Sequence, residues 1–89
     1  MKVGDTPKVR FTRHASEKFG FVRRYGFDVD RRNVIEAVLN PDRLDERGDQ
    51  RLALKVLDET YALRVVYEER KGYLVVITFY PVRRDRYGL

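Results

Sequence analysis

Apolar positions recur along the chain first at helical and then at strand spacing. Val9-Arg10-Phe11-Thr12 alternates apolar and polar, which predicts a short strand. Ala15, Phe19 and Val22, with Phe21 or Tyr25, then fall near helical spacing. Thr12 is placed to cap that helix and Gly26 to stop it, although Gly20 weakens its middle by about 1 kcal/mol. A second helix is signed more fully. Asp30 is the predicted N-cap, and Val29 and Val34 have the spacing of a hydrophobic staple. Val34, Ile35, Val38 and Leu39 make its apolar stripe. Asn40-Pro41 ends it, because the residue before proline is pushed away from α.

The remaining chain predicts an antiparallel meander. Leu44-Asp45-Glu46 reads as a short strand with a turn at Gly48-Asp49. Arg51 to Leu57 alternates, as does Tyr61 to Glu68. Arg70-Lys71-Gly72 makes a hairpin connection, with Gly72 suited to positive φ. Tyr73 to Tyr80 is the most apolar strand, and Pro81 is expected to end it. The expected fold is α+β, in the order β-α-α-β-β-β(-β). Four to five strands form one twisted antiparallel sheet with two helices packed on one face. Strict alternation assigns Leu52, Leu54, Val56, Leu63, Val65, Val75, Ile77 and Phe79 to the helix face. Lys55, Arg64, Thr78 and Tyr80 then share the uncovered face with Val66 and Val76. A basic, hydroxyl-bearing sheet face with an apolar floor suits a single-stranded nucleic acid.

Length and charge bound this picture. The chain has 89 residues, enough for one domain over 1–89, with residues 1–7 a loose start. There are no cysteines, which removes disulfides, thiolate metal sites and cysteine nucleophiles. No apolar run approaches the ~20 residues of a membrane span. Met1 to Asp5 lacks the apolar stretch of a signal peptide, so a cytoplasmic protein is expected. The net charge is +5, carried by 14 Arg and 5 Lys against 14 Asp+Glu. Arginine offers a planar fork that grips phosphate and stacks on bases. A chain dense in opposite charges and poor in Asn, Gln and Met also fits a thermophile surface laced with ion pairs. Bulk charge does not separate the two.

Three short motifs carry a family likeness. Phe11-Thr12-Arg13-His14-Ala15 precedes the helices. Leu63-Arg64-Val65-Val66-Tyr67 and Val76-Ile77-Thr78-Phe79-Tyr80-Pro81 follow them, and Arg86-Tyr87 closes the chain. In this the chain resembles a small prokaryotic domain family of unknown function with F-T-x-H-A, L-R-V-V-Y and I-T-x-Y-P motifs. That family is similar to the RelE, BrnT and MqsR group of toxins from toxin–antitoxin pairs. The likeness covers residues 9–87. It implies a RelE-like sheet with two helices on one face, cleavage of mRNA (in some cases on the ribosome), and a cognate antitoxin partner.

Metal-independent RNA cleavage uses the substrate's own 2′-hydroxyl. The protein must take its proton, steady the charge on phosphorus and protonate the leaving oxygen. His14, the only histidine, is the natural proton shuttle, since an imidazole ordinarily titrates near pH 6.5. The alternative is a half-buried ring that holds the strand–helix junction. Arg64 and Lys55 are the candidate phosphate clamps. Alternatively Arg64 pairs with Glu68, and Lys55 is a snorkelling surface cation. Thr78 and Tyr80 are candidate RNA contacts or simply good strand formers. Arg83, Arg84, Arg86 and Tyr87 form a basic aromatic tail that either clamps RNA or frays. No metal or cofactor is expected, because one histidine without cysteines has no ligand-spaced partners. Three functions remain open: a toxin-type endoribonuclease, a non-catalytic RNA- or ribosome-binding module, and a structural or interaction domain whose charges serve thermal stability.

Overall fold

The computed structural model describes residues 8–89; the expected loose start at 1–7 lies outside the described residues. Strand β1 (Lys8–Phe11) leads directly into helix α1 (Arg13–Arg24). Thr12 caps α1 as its sequence position predicts, accepting from Ala15 N at 3.1 Å. Ala15 and Val22 are buried on its inner stripe, with Phe19 packed against the same core. Gly20 sits on the exposed side, where its missing side chain removes no packing. Gly26, at φ 88°, turns the chain after the helix.

Helix α2 (Arg31–Leu39) starts at Asp30 with a reciprocal box. Asp30 Oδ1 accepts from Asn33 N at 3.0 Å, and Asn33 Oδ1 accepts from Asp30 N at 2.9 Å. Two orphan donors of the first turn are thereby satisfied. Val29 and Val34 are both buried, as a staple requires. Ala37 and Val38 complete the inner stripe.

Four strands follow: β2 (Arg43–Arg47), β3 (Gln50–Val56), β4 (Tyr61–Arg70) and β5 (Tyr73–Arg83). The spatial order is β1-β5-β4-β3-β2. The last four strands form the predicted antiparallel meander. The sheet as a whole is mixed, because β1 runs parallel to β5, with Lys8 opposite Tyr73 and Phe11 opposite Val76. Parallel neighbours need a crossover, and the two helices with the meander supply it. Lys71 and Gly72, at φ 48° and 83°, form the two-residue link between β4 and β5. Positive φ at both positions matches the right-handed twist of hairpin strands.

Both helices contribute to one core on one sheet face. It holds Ala15, Val22, Val34, Ala37 and Val38 against Ala53, Leu63, Val65, Tyr67, Leu74, Val76 and Phe79. Each fully buried Leu, Val or Phe contributes roughly 1.5–3 kcal/mol to that layer.

The strands depart from the expected arrangement at three places. In β3, Ala53 pairs with Val65 and Leu54 with Arg64. Ala53 therefore faces the helices, while Leu52 and Leu54 face the other side. Lys55 pairs with Leu63 and so sits on the helix face, not beside Arg64 as expected. In β5, Val66 pairs with Thr78 but Tyr67 with Val76, leaving Ile77 as an extra residue. Such a bulge shifts the phase of everything beyond it. Leu74 and Val76 thus enter the core, and Val75, opposite Glu68, does not. Finally, β5 continues through Pro81 to Arg83. Strand β1 pairs only with Tyr73 to Val76, so among the described residues no strand adjoins the outer side of β5 at Pro81. An edge position is where a missing N–H is tolerated.

The β3–β4 connection is held by one carboxylate. Asp58 Oδ1 accepts from Tyr61 N at 2.7 Å and from Thr60 N at 2.8 Å. Those two backbone bonds, Tyr61's first, with Arg84 adding attraction, hold the Asp58 carboxyl below its usual range. A depressed carboxylate contributes stability that is complete above its unfolded pKa, near 3.9, and is lost as pH falls through the folded value. Asp58→Ala is expected to lower the melting temperature at neutral pH. The gap to wild type should narrow in melts taken at pH values falling below about 4, toward the lowered folded-state value. A gap independent of pH would contradict this role.

Candidate nucleic-acid interface

Thr12 fixes where α1 meets the sheet. Its N–H donates to Val76 O at 3.0 Å and its hydroxyl donates to Ile77 O at 3.2 Å. The cap that starts the helix is thus also tied to the bulge in β5. His14, in the first turn of α1, is thereby set beside Thr78. His14 Nε2 lies 3.3 Å from Thr78 Oγ1. Lys18, one turn further along, places Nζ 3.5 Å from the same oxygen. A hydroxyl has two lone pairs and one proton. It can accept from the Lys18 ammonium and still exchange a hydrogen bond with the imidazole.

Thr78 and Tyr80 share their sheet face with Arg64 and Val66, because Val66 pairs with Thr78 and Arg64 with Tyr80. This is the face opposite the helices. The Lys18 ammonium lies 5.6 Å from the Tyr80 ring centroid, and the Arg64 guanidinium lies 5.7 Å from it. One exposed-edge tyrosine is therefore flanked by two cations, each at a distance where ring and cation attract.

The last residues close over this face. A 3₁₀ turn (Arg84–Tyr87) follows β5. Arg84 N donates to Thr60 O and Arg84 NH1 to Asp58 O, both at 3.0 Å. Arg43 NH1 donates to Tyr87 O at 3.0 Å, and Arg64 NH1 to the Tyr87 hydroxyl at 3.4 Å. Arg43, Leu54 and Arg64 stand in one row across β2, β3 and β4. Tyr87 bridges the two ends of that row, so it lies over Leu54. Leu54 is accordingly 1% exposed although no helix covers its face. The tail is tied down rather than frayed.

The charge pattern is uneven. Six ion pairs are formed among the described residues: Arg13–Glu17, Arg43–Asp45, Arg51–Glu69, Lys55–Asp42, Arg70–Glu68 and Arg83–Asp85. Exposed pairs of this kind contribute about 0–1 kcal/mol each. Among the described residues, no carboxylate lies within 4.0 Å of His14, Lys18 or Arg64. Glu68, the sequence's alternative partner for Arg64, is taken by Arg70 at 2.9 Å.

The structure thus brings together His14, Arg64, Thr78, Tyr80 and Tyr87 from the expected set. Lys55 instead donates to Asn40 O at 2.9 Å and faces Asp42, clamping the end of α2 to β3. Arg83 pairs with Tyr61 and so points to the helix face, where it meets Asp85. Arg84 holds the β3–β4 turn, and Arg86 is exposed on the 3₁₀ turn. Lys18 joins the cluster unannounced. A lone lysine on a helix carries no signal, but its i, i+4 spacing from His14 puts both on one stripe. Comparison of the chain with family models, with curated proteins and with solved structures gives no match in any of the three.

The cover over Leu54 is testable. Tyr87→Phe removes one hydroxyl bond and should cost no more than about 1 kcal/mol. Tyr87→Ala uncovers Leu54 and should cost about 2 kcal/mol or more. Chemical denaturation of the two variants measures both. Equal effects would show that the hydroxyl, not the ring, is what matters.

Proposed function

We propose that this protein is a metal-independent endoribonuclease of toxin type, acting in the cytoplasm on single-stranded RNA bound across β5. The observation that carries the proposal is that the only histidine and Lys18 meet at Thr78, next to the Arg64–Tyr80 contact, and that among the described residues no carboxylate lies within 4.0 Å of any of the three. His14 and Lys18 stand at Thr78, and Lys18 and Arg64 flank Tyr80. His14 accepts the proton of the substrate's 2′-hydroxyl. The oxygen attacks the adjacent phosphorus, and the bond to the 5′-oxygen breaks, with solvent supplying the proton to the leaving group at this open edge. Lys18, which shares Thr78 with His14, holds the reacting phosphate and steadies the added charge, and Arg64, on the far side of Tyr80, grips a neighbouring phosphate. Tyr80 offers a ring face to a base.

The resemblance to the RelE group supports the same reading and implies an antitoxin partner. The second reading, an RNA-binding module without catalysis, is favoured by the surroundings of His14. Its ring is exposed, and a hydroxyl rather than a carboxylate is what orients it. Both readings use the same cations and differ only in what His14 does.

His14→Ala separates them. On the nuclease reading it abolishes cleavage of single-stranded RNA, a loss of at least about a hundredfold, while affinity for uncleavable 2′-O-methyl RNA is kept. Arg64→Ala should weaken both. A wild-type protein that binds RNA and cuts none, with or without ribosomes, selects the binding module. A wild-type protein that binds no RNA removes both readings.

A further inference from the structure

The outer stripe of α1 does not end at the candidate site. His14, Lys18, Phe21 and Tyr25 follow at i, i+4, i+7 and i+11, so all four lie on one side of the helix. The buried stripe of Ala15, Phe19 and Val22 is next to it. Phe21 and Tyr25 are 53% and 69% exposed. Their rings meet at 5.1 Å between centroids, tilted by 49°. The two rings pack on each other and leave more than half of their surface in water, outside the buried core.

The cations are interleaved with these rings. Lys18 Nζ is 5.9 Å from the Phe21 centroid and 5.6 Å from the Tyr80 centroid. Arg64 is 5.7 Å from Tyr80 and 5.8 Å from Tyr87. The surface thus reads, from one end to the other, Tyr87, Arg64, Tyr80, Lys18, Phe21, Tyr25. Between Tyr80 and Tyr25 runs a groove of about 390 Å³, floored by Val22, Phe27 and Pro81. It opens along the stretch of β5 that β1 leaves uncovered. Its one charged lining residue is Lys18.

We propose that Phe21 and Tyr25 form a base-stacking subsite that holds an unpaired nucleotide beside the one gripped at Thr78–Tyr80. This inference rests on the nucleic-acid reading of that site and extends its footprint along α1. From Tyr87 to Phe21 rings and cations alternate at 5–6 Å, which matches a strand whose bases and phosphates alternate, and Tyr25 extends the last ring into a pair. A protein partner would be served by a continuous apolar patch with its charges at the rim. Here Lys18 stands between the Phe21 and Tyr80 rings, 5.9 and 5.6 Å from their centroids. The subsite reads the flat face of a base and so takes any base. The phosphate between the two nucleotides falls to Lys18.

The test is binding of a fluorescent, single-stranded 2′-O-methyl RNA about twelve nucleotides long, measured by anisotropy over a range of salt. The Phe21→Ala/Tyr25→Ala double variant should bind about tenfold more weakly than wild type. Its slope of log affinity against log salt should be unchanged, because no cation is lost. Lys18→Gln should lower that slope by about 0.7. Both aromatic side chains are exposed, and an unchanged melting temperature will confirm that the double variant is folded. Wild type that binds while the double variant matches it overturns the subsite and leaves the main site standing. A double variant that binds RNA normally but turns a wild-type dimer into a monomer assigns the rings to a self-interface instead. Wild type that fails to bind overturns the subsite together with the reading it rests on.

Discussion

One extra residue in β5 governs the molecule. Val76 and Phe79 are both fully buried against the helices, yet they are three positions apart on a strand. Regular alternation would send one of them to each face. The bulge at Ile77 resolves the conflict, since Val66 pairs with Thr78 and the next residue, Tyr67, with Val76. Two consequences follow together. The core keeps both large side chains. Thr78 and Tyr80 are aimed at the opposite face, the one that carries Arg64. The freed carbonyl of Ile77 is then taken by Thr12, whose hydroxyl also starts α1. Core packing, helix placement and site geometry are thus three results of a single insertion.

The same constraint explains why the site is polar at an edge rather than on a flat floor. The face opposite the helices is not an open basic platform. Its centre is apolar and covered, with Leu54 beneath Tyr87 and Leu52, Ala62 and Val66 also buried. What stays accessible lies where α1 and the outer side of β5 come together. There, among the described residues, no carboxylate lies within 4.0 Å of His14, Lys18 or Arg64, whereas several of the meander's charges are matched. Arg51 and Glu69, Arg70 and Glu68, and Lys55 and Asp42 form ordinary exposed pairs. Most of the chain's excess positive charge therefore says little about partners. What sets His14, Lys18 and Arg64 apart from the other cations that form no ion pair is that they converge on Thr78 and Tyr80.

Local chemistry was the legible part of the sequence. Thr12, Asp30 and the Val29–Val34 spacing announce both helices, because capping is decided within a few residues. Element order follows from the same signals, and so does the placing of both helices on one face. Strand phase was less legible. Leu52-Ala53-Leu54 and Leu74-Val75-Val76-Ile77 are apolar on both sides, so alternation does not say which side is inward. In β3 the larger leucines look like core, but small Ala53 is what fits beneath the helices, and Lys55 follows it to that side. In β5 the bulge leaves no trace in an unbroken apolar run. Arg64, Thr78 and Tyr80 nevertheless reach a common face, since Tyr61 to Glu68 carries no such irregularity before Val66. Lys18 was illegible because its importance comes from the position of α1 beside β5, a tertiary relation.

On the proposed function RNA lies along the α1–β5 edge and not on the other basic surfaces. Backbone amide shifts of isotope-labelled protein, titrated with single-stranded 2′-O-methyl RNA, locate it residue by residue. Perturbations are expected to concentrate at His14, Lys18, Arg64 and Thr78 to Tyr80, and to spare Arg31, Arg32 and the β2–β3 turn. Perturbations centred on Arg31 and Arg32, or none at saturating RNA, would contradict it.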